Sequence, residues 1–321
     1  MIMKRNEKSP GDRPARRRLS DEIREELEQR EFASKEDLQA FLHQKQDAHN
    51  HAPRPEFQGL SPLQMHRLLT APFESPEVAV FNPRPAGMDG VPFMRVFRFL
   101  SDALLNDNMK ATAAGNLPRQ FCRDAALDFW GSEKYAELVQ HAGVNREEDF
   151  WPLSVVRHVA QMAGLIRVYK SRWCLTKPCR ALLDEWGLVG VFMPLFQTYA
   201  MRFNWSVRSL RMDNDFFQRS FLFSLYLMAR YGAEWQPDAF YSNHFRIAFP
   251  MLIDEIRQPV IFDPEEDFRR WYSHQVFDEF SWYWRWAETE SVYEQCSKQK
   301  IRVGCRVKAS PLLAEMVTFP K

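Results

Sequence analysis

Residues 152–183, PLSVVRHVAQMAGLIRVYKSRWCLTKPCRALL, constrain the fold of this chain more than any other stretch. Leu153, Val156, Ala160 and Ala163 recur at spacings of three and four, which sets them on one helical face. Gly164 follows at the place where a helix end favours a residue tolerant of positive φ. Residues 165–169 and 173–176 are β-prone and flank the polar turn Lys170-Ser171-Arg172. A second helix is expected from Lys177-Pro178, because proline fits a first helical turn. Helix, hairpin, helix is the back half of a winged helix-turn-helix. Every Asp, Glu, Lys or Arg position from Phe150 to Leu183 is basic: Arg157, Arg167, Lys170, Arg172, Lys177 and Arg180.

The preceding residues supply a front half. From Val91 the helical period returns with Phe93, Phe97, Leu100 and Leu104 on one face. Residues 109–112 read as a short strand, Gly115-Asn116 as a break, and Leu117-Pro118 as the start of a helix carrying Phe121, Ala125 and Phe129. The order is helix, strand, helix, helix, strand, strand, with an insertion near 131–150. Earlier, Ser20 and Ser34 are expected to cap two short helices. A polar linker with His43, His49 and His51 follows, then a helix capped by Ser61 with Pro62 in its first turn. Residues 70–92 form a proline-rich connector whose Phe73, Val78, Val80 and Phe81 call for burial. After Gly187, apolar residues recur at helical period: Phe217, Phe221, Leu225 and Met228, then Phe268, Tyr272, Val276 and Phe280. Residues 302–306 read as a strand and Ser310-Pro311 as the start of a last helix. This half is read as a candidate diverged copy of the middle unit.

The net charge of +1 hides an asymmetry. Residues 1–20 carry seven Lys or Arg against two acids, so the rest of the chain is net acidic. That arm is read as disordered. Any polyanion site on the body must therefore be local. Twelve glycines in 321 residues argue against a Gly-rich nucleotide fold or a β-sandwich. The five cysteines are scattered and odd in number, and no apolar run follows the N-terminal charges, so a cytoplasmic protein with reduced thiols is expected. No apolar run reaches the length of a membrane span.

Signatures of catalysis are sparse. GxxxxGK[ST], GxGxxG, HExxH and GxSxG do not occur. The linker histidines lack further ligands at a set spacing, and Cys174 and Cys179 lack a second pair, so no metal or cofactor is expected. His66 has no orienting carboxylate in sequence. Asp254-Glu255, Glu265-Glu266-Asp267 and Asp278-Glu279 have the acids a magnesium-dependent nuclease needs, but also the pattern of helix starts and solvated faces. The aromatic set near 271–286 sits among acids that repel phosphates, so Trp282, Trp284 and Trp286 are candidate partner-binding residues rather than base-stacking ones.

Short motifs add a resemblance. FQGLSPLQMHRLL with the following APFESP, ATAAGNLPR, and AGLIRVYKSRWCLTK together resemble a bacterial family related to companions of the plasmid pRiA4b ORF-3-like proteins. The resemblance spans most of residues 30–320 and implies a bacterial or mobile-element origin, but no activity.

The resulting expectation is a mainly α protein with a winged-helix-like middle domain and a helix-rich C-terminal domain. Its parts are a disordered basic arm (1–19), a helical lead-in and Pro-rich connector (20–90), the winged-helix-like domain (91–186) and the helix-rich domain (187–321). The leading function is a non-enzymatic, DNA-associated accessory or regulatory protein. Arg157, His158 and Gln161 would lie on the exposed side of the recognition helix, with Arg167, Lys170, Arg172, Lys177 and Arg180 around the wing, facing DNA or an acidic protein surface. The alternatives are a scaffold within a protein complex and, third, a metal-dependent nuclease.

Overall fold

The computed structural model describes residues 19–140, 143–208, 215–253, 263–296 and 299–320. The expected basic arm, Asp254 and Glu255 lie outside them. Contacts divide the chain into two units, Met1–Met65 and His66–Lys321. The first contains α1 (Leu19–Gln29), α2 (Lys35–His51) and the start of α3 (Pro62–Thr70). Ser34 caps α2 by accepting from the Asp37 amide. Ser61 and Gln64 form a reciprocal capping box at α3, with the Gln64 amide donating to Ser61 Oγ and the Ser61 amide to Gln64 Oε1. The expected histidine linker is instead the second half of α2. No glycine or proline interrupts residues 35–52, so nothing stops the helix before Pro53.

The larger unit begins with β1 (Val80–Phe81) and α4 (Pro92–Asn106). Then follow β2 (Met109–Lys110), α5 (Arg119–Trp130), α6 (Ser132–Val139), α7 (Trp151–Met162), β3 (Ile166–Tyr169), β4 (Arg172–Leu175) and α8 (Lys177–Trp186). β4 lies between β2 and β3 and is antiparallel to both, so the first strand of this set pairs with the last. In this part α4, α5 and α7 precede the antiparallel β3–β4 hairpin. The insertion holds α6 and a 3-10 turn at Glu147–Phe150.

Beyond it come α9 (Phe192–Met201), α10 (Phe216–Arg219), α11 (Phe221–Tyr231), β5 (Gln236–Pro237), α12 (Asp238–Ala248) and α13 (Pro264–Tyr272). A π-helical segment, Ser273–Ser281, runs from α13 into the single turn α14 (Trp282–Trp284). The chain closes with β6 (Ala287–Cys296), β7 (Gln299–Ala309), α15 (Pro311–Met316) and β8 (Val317–Thr318). β8 pairs with β1, and β7 lies between β5 and β6. The fold is mainly α, as the periodicities imply.

The core is aromatic. The rings of Phe93 in α4 and Trp284 stack at 4.5 Å, and Tyr199, Phe196 and Phe280 pack around them. Offset and edge-on ring pairs contribute about 0.5–1.5 kcal/mol each beyond their buried area. Residues 221–228 of α11 are buried all round, which is the pattern of a central helix.

A polar network fastens the long β6–β7 hairpin to this core. Register shifts between Val292 and Tyr293, so Val303 on β7 has no opposite partner. Its freed carbonyl accepts from Arg269 Nη2 at 2.7 Å. Arg269 also donates to Asp238 Oδ2 at 2.7 Å and to both Glu266 oxygens, at 2.8 and 2.6 Å. Gly304 makes room for this: a Cβ there would sit 3.0 Å from Arg269 Nη1 and 3.1 Å from Asp238 Oδ1. From the strand side, Arg302 grips Asp278 of the π-helical segment through two bonds of 2.7 and 2.8 Å.

The Arg269 guanidinium, more than Arg270, holds the Glu266 carboxyl below its ordinary value of 4.5. A depressed carboxylate contributes stability above its unfolded value and loses it as pH falls through the folded one. Melting temperature is therefore expected to drop below about pH 4.5, with a shallower drop in Glu266→Gln. Parallel acid limbs in thermal melts of the two proteins would show that Glu266 does not carry this dependence.

Candidate nucleic-acid interface

The β3–β4 hairpin, called the wing for its position, is built by local rules that begin at the end of α7. Gly164 adopts φ 72°, the Leu165 amide reaches back to the Ala160 carbonyl and the Gly164 amide to Gln161. This is a Schellman stop, which turns the chain directly into β3. Thr176 closes the base of the hairpin: its hydroxyl donates to the Gly164 carbonyl at 2.7 Å and accepts from the Cys179 amide at the start of α8. Between the strands, Lys170 and Ser171 both have positive φ, 49° and 56°. Tyr169 pairs with Arg172 across this two-residue loop, so it is a primed hairpin turn made without glycine. β2 braces the far side. The Ala111 amide donates to the Ser171 carbonyl, and Arg172 Nη1 donates to the Asn108 carbonyl.

The eight expected nucleic-acid residues divide by environment. Arg167, Lys170, Arg172 and Lys177 are exposed on the wing and at the first turn of α8. Arg172 also lies 3.7 Å from the exposed Asp107. His158 and Gln161 are exposed on α7, but with Ser154 they form a single narrow stripe, since the other faces are covered. His158 Nδ1 donates to the Ser154 carbonyl at 2.7 Å. Arg180 is half-buried and donates to the Leu104 carbonyl.

Arg157 departs from expectation. It is buried at 7% exposure, not on the open side of α7. Its guanidinium forks onto Glu147, which has no exposure at all, donates to Gln161 Oε1 at 3.2 Å and lies 5.4 Å from the centre of the Trp173 ring. A side chain so engaged and buried is not placed to meet a phosphate. Sequence alone gave no sign of this, because Glu147 sits in the insertion and becomes its neighbour only through the 3-10 turn.

The tryptophan set also moves inward. Trp284 and Trp286 have no exposure, and Trp282 is half-buried against Trp151 and Phe129 at ring distances of 4.8 and 5.9 Å. Arg285 between them takes a left-handed φ of 55°, which lets Trp284 and Trp286 both face the core. Trp284 and Trp286 cannot form a contact surface in this state. The acids proposed for a nuclease are engaged as well: Glu265 lies 3.3 Å from Arg246, Glu266 is held by Arg269 and Arg270, and Asp278 is gripped by Arg302. Among the described residues, no group of three or more His, Cys, Asp or Glu is arranged to hold a metal. Cys122, Cys174, Cys179 and Cys305 are free thiols, and burial pushes Cys122 up to about 12, with Glu147 adding to the effect.

Two residues join the wing that sequence reasoning did not single out. Lys110 on β2 pairs with Arg172, and Tyr169 on β3 pairs with the same arginine from the other side. The alternation of Arg167 and Tyr169 was a readable signal for one face of a strand. The approach of Lys110 was not readable, since it depends on a long-range pairing.

Residues 90–188 match the family model described as the Y4jL N-terminal domain. That stretch runs from the turn before α4 to the end of α8, so it contains the whole wing and the helices under it. No curated protein and no solved structure gives a match. No helix among the described residues is long and apolar enough to cross a membrane.

Removing one partner of a buried ion pair leaves the other charge stranded, at about 3–5 kcal/mol. Arg157→Ala and Glu147→Ala should each destabilise the protein on that scale, as read by chemical denaturation. Joint replacement, Glu147→Leu with Arg157→Met, should recover much of the loss. A cost under about 1 kcal/mol for either single change would mean that solvent reaches the pair.

Proposed function

We propose that this chain is a DNA-associated accessory protein without catalytic chemistry, which lays its basic wing along the phosphate backbone. The exposed, braced cluster of Arg167, Lys170, Arg172 and Lys177, joined by Lys110, is the observation that carries this reading. Side chains held on a short sheet with a fixed turn lose little freedom when they meet phosphates. α7 contributes little to the contact, because the narrow stripe of Ser154, His158 and Gln161 has few groups to read base edges in a groove. The recognition is therefore of backbone more than sequence. The free thiols support a cytoplasmic setting. The motif resemblance to companions of plasmid pRiA4b ORF-3-like proteins supports a mobile-element origin.

A second reading, a scaffold in a protein complex, is favoured by the outer part of the β6–β7 hairpin. There Tyr293 is 53% exposed and Ile301 45% exposed, apolar surface on two strands that reach away from the network at Gly304.

Fluorescence anisotropy of the full chain with a labelled duplex tests the leading reading. Four to five phosphate contacts give a log–log salt slope of roughly −4, reduced by about one for each of Arg167→Ala, Lys170→Ala and Arg172→Ala. A variant with Arg16, Arg17 and Arg18 replaced by Ala separates the contribution of the N-terminal arm. Binding that depends only on those three arginines, or no binding at low salt, overturns the role of the wing.

A further inference from the structure

The cations of the wing lie beside an open aromatic ring. Lys110, Arg172 and Tyr169 are register partners across β2, β4 and β3, so their side chains leave the same face of the sheet, about 4.8 Å apart from strand to strand. Arg167 lies two residues before Tyr169 on the same strand and hence on the same face, about 7 Å along it. Tyr169 is 56% exposed at the β3 edge of this set, next to Arg172 on central β4. Arg167 Cζ lies 5.4 Å from the centre of its ring and Lys170 Nζ lies 5.5 Å from it.

An exposed tyrosine in a strand is ordinary by itself. This one has Arg172 on the neighbouring strand, Arg167 along its own strand and Lys170 at a turn fixed by two backbone pairings. A ring of that kind offers a π-face to a base and ammonium or guanidinium groups to the phosphates beside it. A duplex cannot use the π-face, because its bases are already stacked on one another and show only their edges. An unpaired strand can splay a base onto a sheet-borne aromatic ring while its backbone follows the cations. The buried α7, with its narrow exposed stripe, removes the usual competitor for this role, a helix entering the major groove. Asp107, 3.7 Å from Arg172, sets one exposed acid beside the track on its β2 side.

We infer that the outer face of the β2–β4–β3 sheet takes single-stranded DNA, with an unpaired base stacked on Tyr169 and the adjoining phosphates held by Lys110, Arg167, Lys170 and Arg172. The inference rests on the DNA-associated reading of the wing and narrows it to a strand state.

The test uses the full chain and a fluorescein-labelled oligonucleotide of roughly 15 nucleotides, alone and annealed to its complement. Single-strand binding should be tighter than duplex binding at the same salt. Tyr169→Ala should weaken it about 5- to 150-fold, the range for loss of one base stack, while Tyr169→Phe, which keeps the ring, restores it. Duplex binding should change less than about twofold in both variants, since phosphate contacts alone carry it. Lys110→Ala should lower the salt slope for the single strand by about 0.7. If Tyr169→Ala leaves single-strand affinity unchanged, or weakens both forms equally, the stacking role is wrong while the DNA-associated reading survives. If neither form binds at low salt, both fall together. Tyr169 is exposed, so circular dichroism should show all variants folded.

Discussion

The pair between Glu147 and Arg157 carries much of the architecture around the wing. Two full charges sit where water does not reach, and such a pair survives only when each remaining donor and acceptor is met. Here the carboxylate takes two guanidinium bonds, the third guanidinium nitrogen finds Gln161, and the cation faces the Trp173 ring. Glu147 belongs to the insertion, Arg157 to α7 and Trp173 to the central strand of the small sheet. One interaction thus fixes helix, insertion and sheet against each other. The exposed cations of the hairpin owe their position to it, although both members are buried.

The same device recurs in the C-terminal part with a different purpose. Arg269 supplies the missing partner for a carbonyl that a bulge has taken out of its ladder, and Arg302 ties the strand back to Asp278. The π-helical winding belongs to this arrangement, because it sets Ser273 on Asp238 while it aims Asp278 at the strand. Wide-wound segments of this kind often mark places where packing demands override the ordinary helical repeat. Here the demand comes from a hairpin that must be held at its base while its outer half stands free.

Much of this was legible in the sequence, and the exceptions have physical reasons. Periodicity found α4, α7 and α11, and Gly164 and Lys177-Pro178 marked the hairpin ends, because those signals are local. The strict spacing of four through Phe268, Tyr272, Val276 and Phe280 placed all four side chains in the core. It did not reveal the π winding, though a run at that interval drifts off the face of a helix with 3.6 residues per turn. β6 escaped notice because Glu288, Thr289, Glu290 and Ser291 are polar on both faces, as suits a strand exposed on both sides. Arg157, Trp284 and Trp286 were given to the surface on the strength of neighbours in sequence. Their true neighbours are Glu147 for the first and Phe93 and Phe280 for the tryptophans, and only the folded chain brings these close.

The β1–β8 pair has a consequence for the order in which the larger unit is assembled. Val80 and Phe81 are made before any of its helices from α4 onward, while Val317 and Thr318 are made after all of them. During synthesis the early strand must wait with an unpaired edge until the helices have collapsed and brought its partner around. Loop-closure entropy rises only with the logarithm of the separation, by about 0.6 kcal/mol per doubling, so the delay costs little at equilibrium. Its effect is temporal: this small seam works as a clasp fastened last, and a nascent chain lacking those residues would carry an open strand edge to meet other chains.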